Sequence, residues 1–187
     1  MSMTLDATIG GSQANSYLSL EQADAWFAVS LFPERWSVLP TTTREGALRQ
    51  AAAWLDTLTF HGTRATPSSD DPALEQAMQW PRENVTCRGI TANRTFIPAE
   101  ILTAQAMLAL QVGEQPDLLF TGSQIDNVSF VTKERVDVLE QQFGAKPDRL
   151  QLREASKPWV IRAFPWLEDL LGCWYSGKSS TVRLYRN

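Results

Sequence analysis

Seven apolar residues between positions 47 and 58 lie on one helical stripe, and that stripe limits the fold more than any other feature of the chain. Ala47, Leu48, Ala51, Ala52, Trp54, Leu55 and Leu58 recur at helical spacing. Arg44, Arg49, Gln50 and Asp56 fall largely off the stripe. Alanines at 51–53 let a partner helix come close, and Trp54 fills the space beyond them. Thr42 and Glu45 stand three apart at the start, the spacing of a reciprocal capping box. A polar loop and the stop Trp80-Pro81-Arg82 follow, so residues 42–81 read as the organiser of the fold.

The partner helix is legible too. Pro98 can open a helix, where its missing N–H costs nothing. Residues 101–112 then carry no charge and are apolar most of the way round, which marks a buried helix stopped by Gly113. The uncharged run 101–113 is shorter than the roughly 18–20 residues of a membrane span. The two helices are expected to pack together as the centre of a small bundle.

Other elements hang from that pair. Residues 1–18 read as an extended arm, with turn chemistry at Gly10, Gly11, Ser12, Asn15 and Ser16 and little to bury. Ser19 caps a short helix with Gln22 at the capping-box position. Leu20, Ala23, Trp26 and Phe27 form its apolar face, and Pro33 ends it. Phe32, Trp36, Val38 and Leu39 make a connector expected to lie on the core. Gly62 stops the organising helix. Residues 64–72 are loop, 73–80 make two helical turns, and 84–96 are irregular, with Val85 and Cys87 alternating. Val128, Phe130 and Thr132, then Val136 and Val138, alternate as two short strands. Residues 145–157 are a charged linker, and Trp159 to Leu171 form one short apolar helix entered through Pro165. The fold class that follows is mainly α: a small helical bundle with a short β-strand insert or hairpin and extended N- and C-terminal arms. The arm covers 1–18, the helical domain 19–172 with the insert near 125–143, and the tail 173–187. In that tail Lys178, Arg183 and Arg186 alternate with Val182, Leu184 and Tyr185, with no acid from 178 onward.

Composition narrows the function. The 187 residues carry a net charge of −4, unlike a chain that lives by bulk nucleic-acid binding. No Lys or Arg precedes Arg35, so a secretory leader is not expected. Two cysteines, Cys87 and Cys173, are too few for a disulfide framework and read as reduced thiols in a reducing compartment. His61 is the only histidine and sits at a helix end, where a structural role suffices. Gly172 to Ser179 matches the phosphate-loop pattern, but helix precedes it and too little chain follows to build the sheet and second helix. The sequons at Asn84, Asn93 and Asn127 are chance matches without a leader. The neighbouring pairs Asp70/Asp71 and Glu168/Asp169 read as solvated surface, and Arg149, Arg153, Lys157 and Arg162 as a linker face. No catalytic, cofactor-binding or metal-binding residue is expected, and the chain is not expected to be an enzyme.

An ordered series of motifs carries a resemblance. Residues 15–27 read NSYLSLEQADAWF; 47–56 read ALRQAAAWLD; Phe60, Gly62 and Arg64 form a turn; Met78, Trp80, Pro81 and Arg82 follow; then Ile97, Pro98 and Glu100. Residues 132–140, TKERVDVLE, and Phe164-Pro165 with Leu167, Leu170 and Leu171 complete the series. Over 14–172 the chain resembles a tailed-phage and prophage family often labelled DnaT-like single-stranded-DNA-binding protein. It is also similar in size and plan to phage head–tail adaptors. Met78 stands where that family usually has Leu, and Asp137 where it has Gly.

The resemblance implies a structural virion protein in the neck: a homo-oligomeric adaptor ring, a dodecamer, that joins the portal to the tail or tail-terminator proteins. It would line the channel for double-stranded DNA without gripping it, use no cofactor and touch no membrane. Trp174, Tyr175, Arg183, Leu184 and Tyr185 are the candidate partner contacts. The alternative is single-stranded DNA binding.

Overall fold

A computed structural model describes residues 4–65, 75–117 and 157–177, and within them the fold is mainly α with two small hairpins. Two 16-residue helices form its centre, α3 (Thr41–Asp56) and α4 (Ala99–Glu114). Two shorter helices precede them, α1 (Leu20–Ala28) and α2 (Pro33–Ser37), and two follow, α5 (Trp159–Ala163) and α6 (Trp166–Leu171), with a 3-10 turn at Gly172–Trp174. All seven stripe residues are buried. So are Ile101, Ala104, Ala106, Leu108, Ala109 and Val112 on α4. Among the described residues no helix is long and apolar enough to cross a membrane.

The central helices run antiparallel. A Cβ on Gly113 would stand 2.7 Å from Leu39 Cδ1 and 3.8 Å from Ala47 Cβ, so the end of α4 meets the start of α3. At the other end, the His61 backbone N–H donates to the Trp174 carbonyl (2.9 Å), and Trp174 Nε1 donates to Glu100 (3.3 Å). Sixteen residues make a rod of about 24 Å, and this separates two poles. Helices α1 and α2 and residue Glu114 form the first. The hairpins, Glu100 and the 3-10 turn form the second.

One polar side chain sits in the middle of the pair. Gln105 is fully buried on α4. Its Oε1 accepts from the backbone N–H groups of Tyr17 (3.1 Å) and Leu18 (2.9 Å). Its Nε2 donates to Ser16 Oγ (2.6 Å) and the Leu48 carbonyl (3.0 Å). One amide therefore joins the N-terminal segment, α3 and α4. The N-terminal stretch consequently buries more than its turn-rich composition suggests: Ala14, Ser16, Tyr17 and Leu18 are all inside.

Asp24 does similar work at the first pole. Its Oδ1 accepts from Trp36 Nε1 and from Arg44 (2.6 Å each), which ties α2 and the first turn of α3 to α1. Ser19 and Gln22 form the expected capping box of α1.

Several local expectations are corrected. Helix α3 begins at Thr41 with Pro40 as its cap and no side-chain capping bond, because proline already fixes the entry and Thr42 lies inside the helix. Gly113 does not stop α4; it lies within the helix and leaves room for Leu39. The connector splits: Trp36 is buried, while Phe32 and Val38 face solvent. Residues 75–80 are not helical. Residues 84–96 hold a hairpin, and Pro165 divides the last apolar segment into α5 and α6. The strand insert expected near 125–143 lies outside the described residues.

Gln105→Leu should lower stability by roughly 2–5 kcal/mol, because two backbone N–H groups lose their only buried acceptor. A urea melt checks this; the midpoint should fall with the slope unchanged.

Candidate nucleic-acid interface

The second pole is built around a buried cation. Arg82, 7% exposed, donates from Nε to the His61 carbonyl (2.9 Å). Its two terminal nitrogens reach the carbonyls of Phe60 (3.3 Å), Gly62 (2.8 Å) and Gln79 (3.3 Å) and the Gln79 side chain (2.8 Å). These acceptors are neutral, so burial, and then the nearby Arg64 charge, lower its pKa. The Trp-Pro-Arg motif thus works as an internal clamp, closed on the turn after α3. Gly62 is required in that turn. Its φ is +77°, and a Cβ there would lie 2.3 Å from the Glu83 carbonyl oxygen.

Two antiparallel hairpins grow from the clamp. Strand β1 (Thr63–Arg64) pairs with β2 (Arg82–Glu83), and β3 (Thr86–Cys87) pairs with β4 (Ile90–Thr91). Apart from Ile90, which is 50% exposed, their exposed surface is polar and basic. Arg64, Arg88 and Arg94 are exposed, as are Thr63, Asn84, Thr86, Thr91 and Asn93. Between residues 76 and 98 the chain carries Arg82, Arg88 and Arg94 against a single acid, Glu83. Arg94 Nε meets Glu83 at 2.7 Å, and Arg88 meets Glu100 at 3.6 Å. Arg64 donates to the Gln76 carbonyl. Solvent-exposed pairs of this kind contribute only about 0–1 kcal/mol, so an incoming phosphate can displace the carboxylates at little cost.

The aromatic residues of this pole point inward. Phe60, Trp80 and Trp174 are buried, and Trp80 meets both others edge-on, with centroids 5.7 and 5.5 Å apart. Trp54, placed on the apolar stripe, is core as expected. Treating Trp174 and Tyr175 as contacts on a free tail is not correct. They are 1% and 6% exposed, Tyr175 bridges to Phe60, and Ser176 N–H donates to the Thr59 carbonyl (2.9 Å). The folded chain therefore continues to Gly177, and the boundary expected at 173 falls inside the core. Arg183, Leu184 and Tyr185 lie outside the described residues. Gly172 follows helix α6, not a strand, so the phosphate-loop pattern lacks the element that must precede it.

The cysteines are not reduced thiols. Cys87 on β3 and Cys173 on the 3-10 turn form a disulfide, with Cα atoms 5.6 Å apart and a sequence separation of 86. The bond pins the chain's C-terminal segment to the second hairpin.

A partly buried carboxylate lies behind the basic surface. The Tyr17 hydroxyl donates to Asp56 Oδ1, and the Gln79 N–H donates to the same oxygen (3.3 Å). Burial raises the Asp56 pKa above the usual carboxylate value, despite these donors and the Arg64 charge. Burial and the facing carboxylate push the Tyr17 phenol well above its usual range. His61 is exposed, and its backbone carbonyl serves the Arg82 clamp.

The first pole has a different surface. Val29, Leu31, Phe32 and Val38 are 87%, 83%, 51% and 78% exposed. They border α2, with Phe32 as its N-cap and Val38 as its C-cap. A sequence reading placed two of the four on the core. The signal that marks the others was present in the apolar run 29–32, where helical spacing breaks down.

A family model described as "Putative DnaT-like ssDNA binding protein" matches residues 1–187. The chain belongs to that family. Its description names single-strand binding and no head–tail adaptor. No curated protein and no solved structure matches the chain.

Two stability outcomes follow from this pole. An 86-residue loop closed by a disulfide is worth roughly 4–5 kcal/mol in the chain-entropy model. Cys173→Ser should therefore lower stability by up to that amount, read by urea unfolding without reductant, and reductant should have no effect on the variant. For Asp56 the folded pKa lies above the unfolded one, so the folded state holds the extra proton, and stability falls as pH rises from the unfolded value through the folded one. Asp56→Asn removes that slope. Its melting temperature relative to the parent chain should be higher at pH 7 than at pH 4.

Proposed function

We propose that this member of the DnaT-like family binds single-stranded DNA through the hairpin pole and catalyses no reaction. Membership over the whole chain carries the proposal. The exposed Arg64, Arg88 and Arg94 supply the chemistry. Arg88 and Arg94 are held by ion pairs with Glu100 and Glu83, and Arg64 by the Gln76 carbonyl and the Asp56 charge, while all three stay exposed to solvent. Cations of that kind contact phosphate and leave the bases unread. Arg82 contributes no contact, since its donors are spent inside.

The interface is weak by construction. Single-strand binders usually add stacking on exposed aromatic rings. Among the described residues only Phe32 is an exposed aromatic, and it lies at the other pole. Binding therefore rests on three phosphate contacts. A single-strand slope of about −0.7 per contact gives a total log–log salt slope near −2.

A second reading, the head–tail adaptor ring, has its own observation in the apolar patch at the first pole. Four large side chains left in water mark a protein-docking face. A ring subunit needs such a face, together with a different one for its other neighbour. This reading would place the protein in the virion neck, against the portal and tail, with double-stranded DNA passing through.

Fluorescence anisotropy with a labelled oligonucleotide tests the first reading. Binding should weaken with salt at a slope near −2, and Arg88→Ala should reduce that slope by about 0.7 and weaken binding uniformly across sequences. No binding at low salt would remove single-strand recognition and leave the adaptor reading.

A further inference from the structure

We infer that residues 178–187 of one copy dock on the apolar patch at the first pole of a second copy, so that the chain self-assembles head to tail. The patch is Val29, Leu31, Phe32 and Val38. Its exposed neighbour Glu34, two residues from Phe32, is acidic. Of the cations that the described residues place at this pole, Arg35 is engaged by both carboxylate oxygens of Glu114 and Arg44 by Asp24. The fitting occupant is apolar and basic. Residues 178–187 read KSSTVRLYRN, with Val182, Leu184 and Tyr185 set between Lys178, Arg183 and Arg186, and no acid.

Geometry decides which copy supplies the segment. The chain leaves the described core at the second pole. Ser176 is bonded to Thr59, past the end of α3, and Cys173 is tied to Cys87. The patch lies at the opposite pole, where Val38 precedes the first turn of α3. Helix α3 alone separates them by about 24 Å. Val182 is five residues beyond Gly177 and reaches at most about 18 Å. Leu184 reaches roughly 25 Å, and only along a straight line through the core. Tyr185 reaches about 29 Å, so the tail cannot lay Val182, Leu184 and Tyr185 together on its own patch.

A contact between two different faces is heterologous. It closes as a ring if the rotation allows and otherwise propagates. The inference does not depend on single-strand binding. It extends the adaptor reading by naming what covers the patch; a self-assembling chain that joins no virion parts would leave the inference standing and remove that reading.

Sedimentation of the full chain over a wide concentration range is the test, with deletion of 178–187 and Leu31→Asp as variants. The patch is exposed, so Leu31→Asp should keep the parent circular dichroism and melting temperature. The full chain should assemble beyond the monomer. Each variant should raise the concentration of half-assembly about tenfold or more, since a carboxylate in an apolar contact costs at least that. Mixed together, the variants should form a dimer and nothing larger, because one retains only the tail and the other only the patch. A full chain that stays monomeric throughout, a variant that assembles like the parent, or a mixture that stays monomeric would each overturn the inference.

Discussion

The fold depends on one buried amide. An uncharged helix such as α4 has little to fix its register against α3, because alanine and leucine surfaces pack acceptably in several offsets. Gln105 removes that freedom. Its four hydrogen bonds are all satisfied in a single arrangement: the acceptor side holds Tyr17 and Leu18, and the donor side holds Ser16 and Leu48. In a low-dielectric interior a complete network of this kind is strong, and any shift leaves polar groups unpaired. The N-terminal segment is thereby part of the core, and the antiparallel offset that separates the two poles is set.

The poles differ in chemistry because side chains alone decide it. The helix ends contribute opposite partial charges, the N-terminus of α4 beside the C-terminus of α3, and these largely cancel. The second pole therefore presents Arg64, Arg88 and Arg94 with Glu83 and Glu100 beside them, within a chain whose net charge is −4. The first pole has Arg35 committed to Glu114 and Arg44 to Asp24, so its surface is apolar with the acidic Glu34 at its edge. Asp24 keeps that surface outward. By holding Trp36 in the core and Arg44 against α1, it fixes α2 with Phe32 and Val38 on the solvent side.

Much of this was legible in the sequence. The stripe on α3, the buried character of α4, the Ser19 cap and the core placement of Trp54 all follow from local periodicity and capping chemistry. What was missed shares a cause. Gln105 is one polar residue in an apolar run, and periodicity gives no hint that its partners lie 57 and more residues away. The disulfide joins residues 86 apart, and no spacing rule reaches that far. Trp174 and Tyr175 precede a polar, basic segment, so composition assigned them to it. Gly113 was read as a stop, when its use is to admit Leu39 from another helix. Local rules found the elements; contacts between distant elements fixed the hairpin pole.

Those distant contacts also decide whether the chain's two surfaces interfere. With the disulfide and Trp174 in place, any segment beyond Gly177 starts from the same pole as the hairpin arginines. A neighbour held by that segment would bring Glu34 towards them, and a nearby carboxylate would compete with phosphate. The separation limits this. A tail reaching Val182 at full stretch holds the neighbour's patch up to about 18 Å away. The Debye length at physiological salt is about 8 Å, so acids at that distance are largely screened. At full stretch, the proposed docking through the tail and the proposed phosphate binding through Arg64, Arg88 and Arg94 would be compatible in one assembly, and they would conflict at low ionic strength, where the same arginines would hold DNA most tightly.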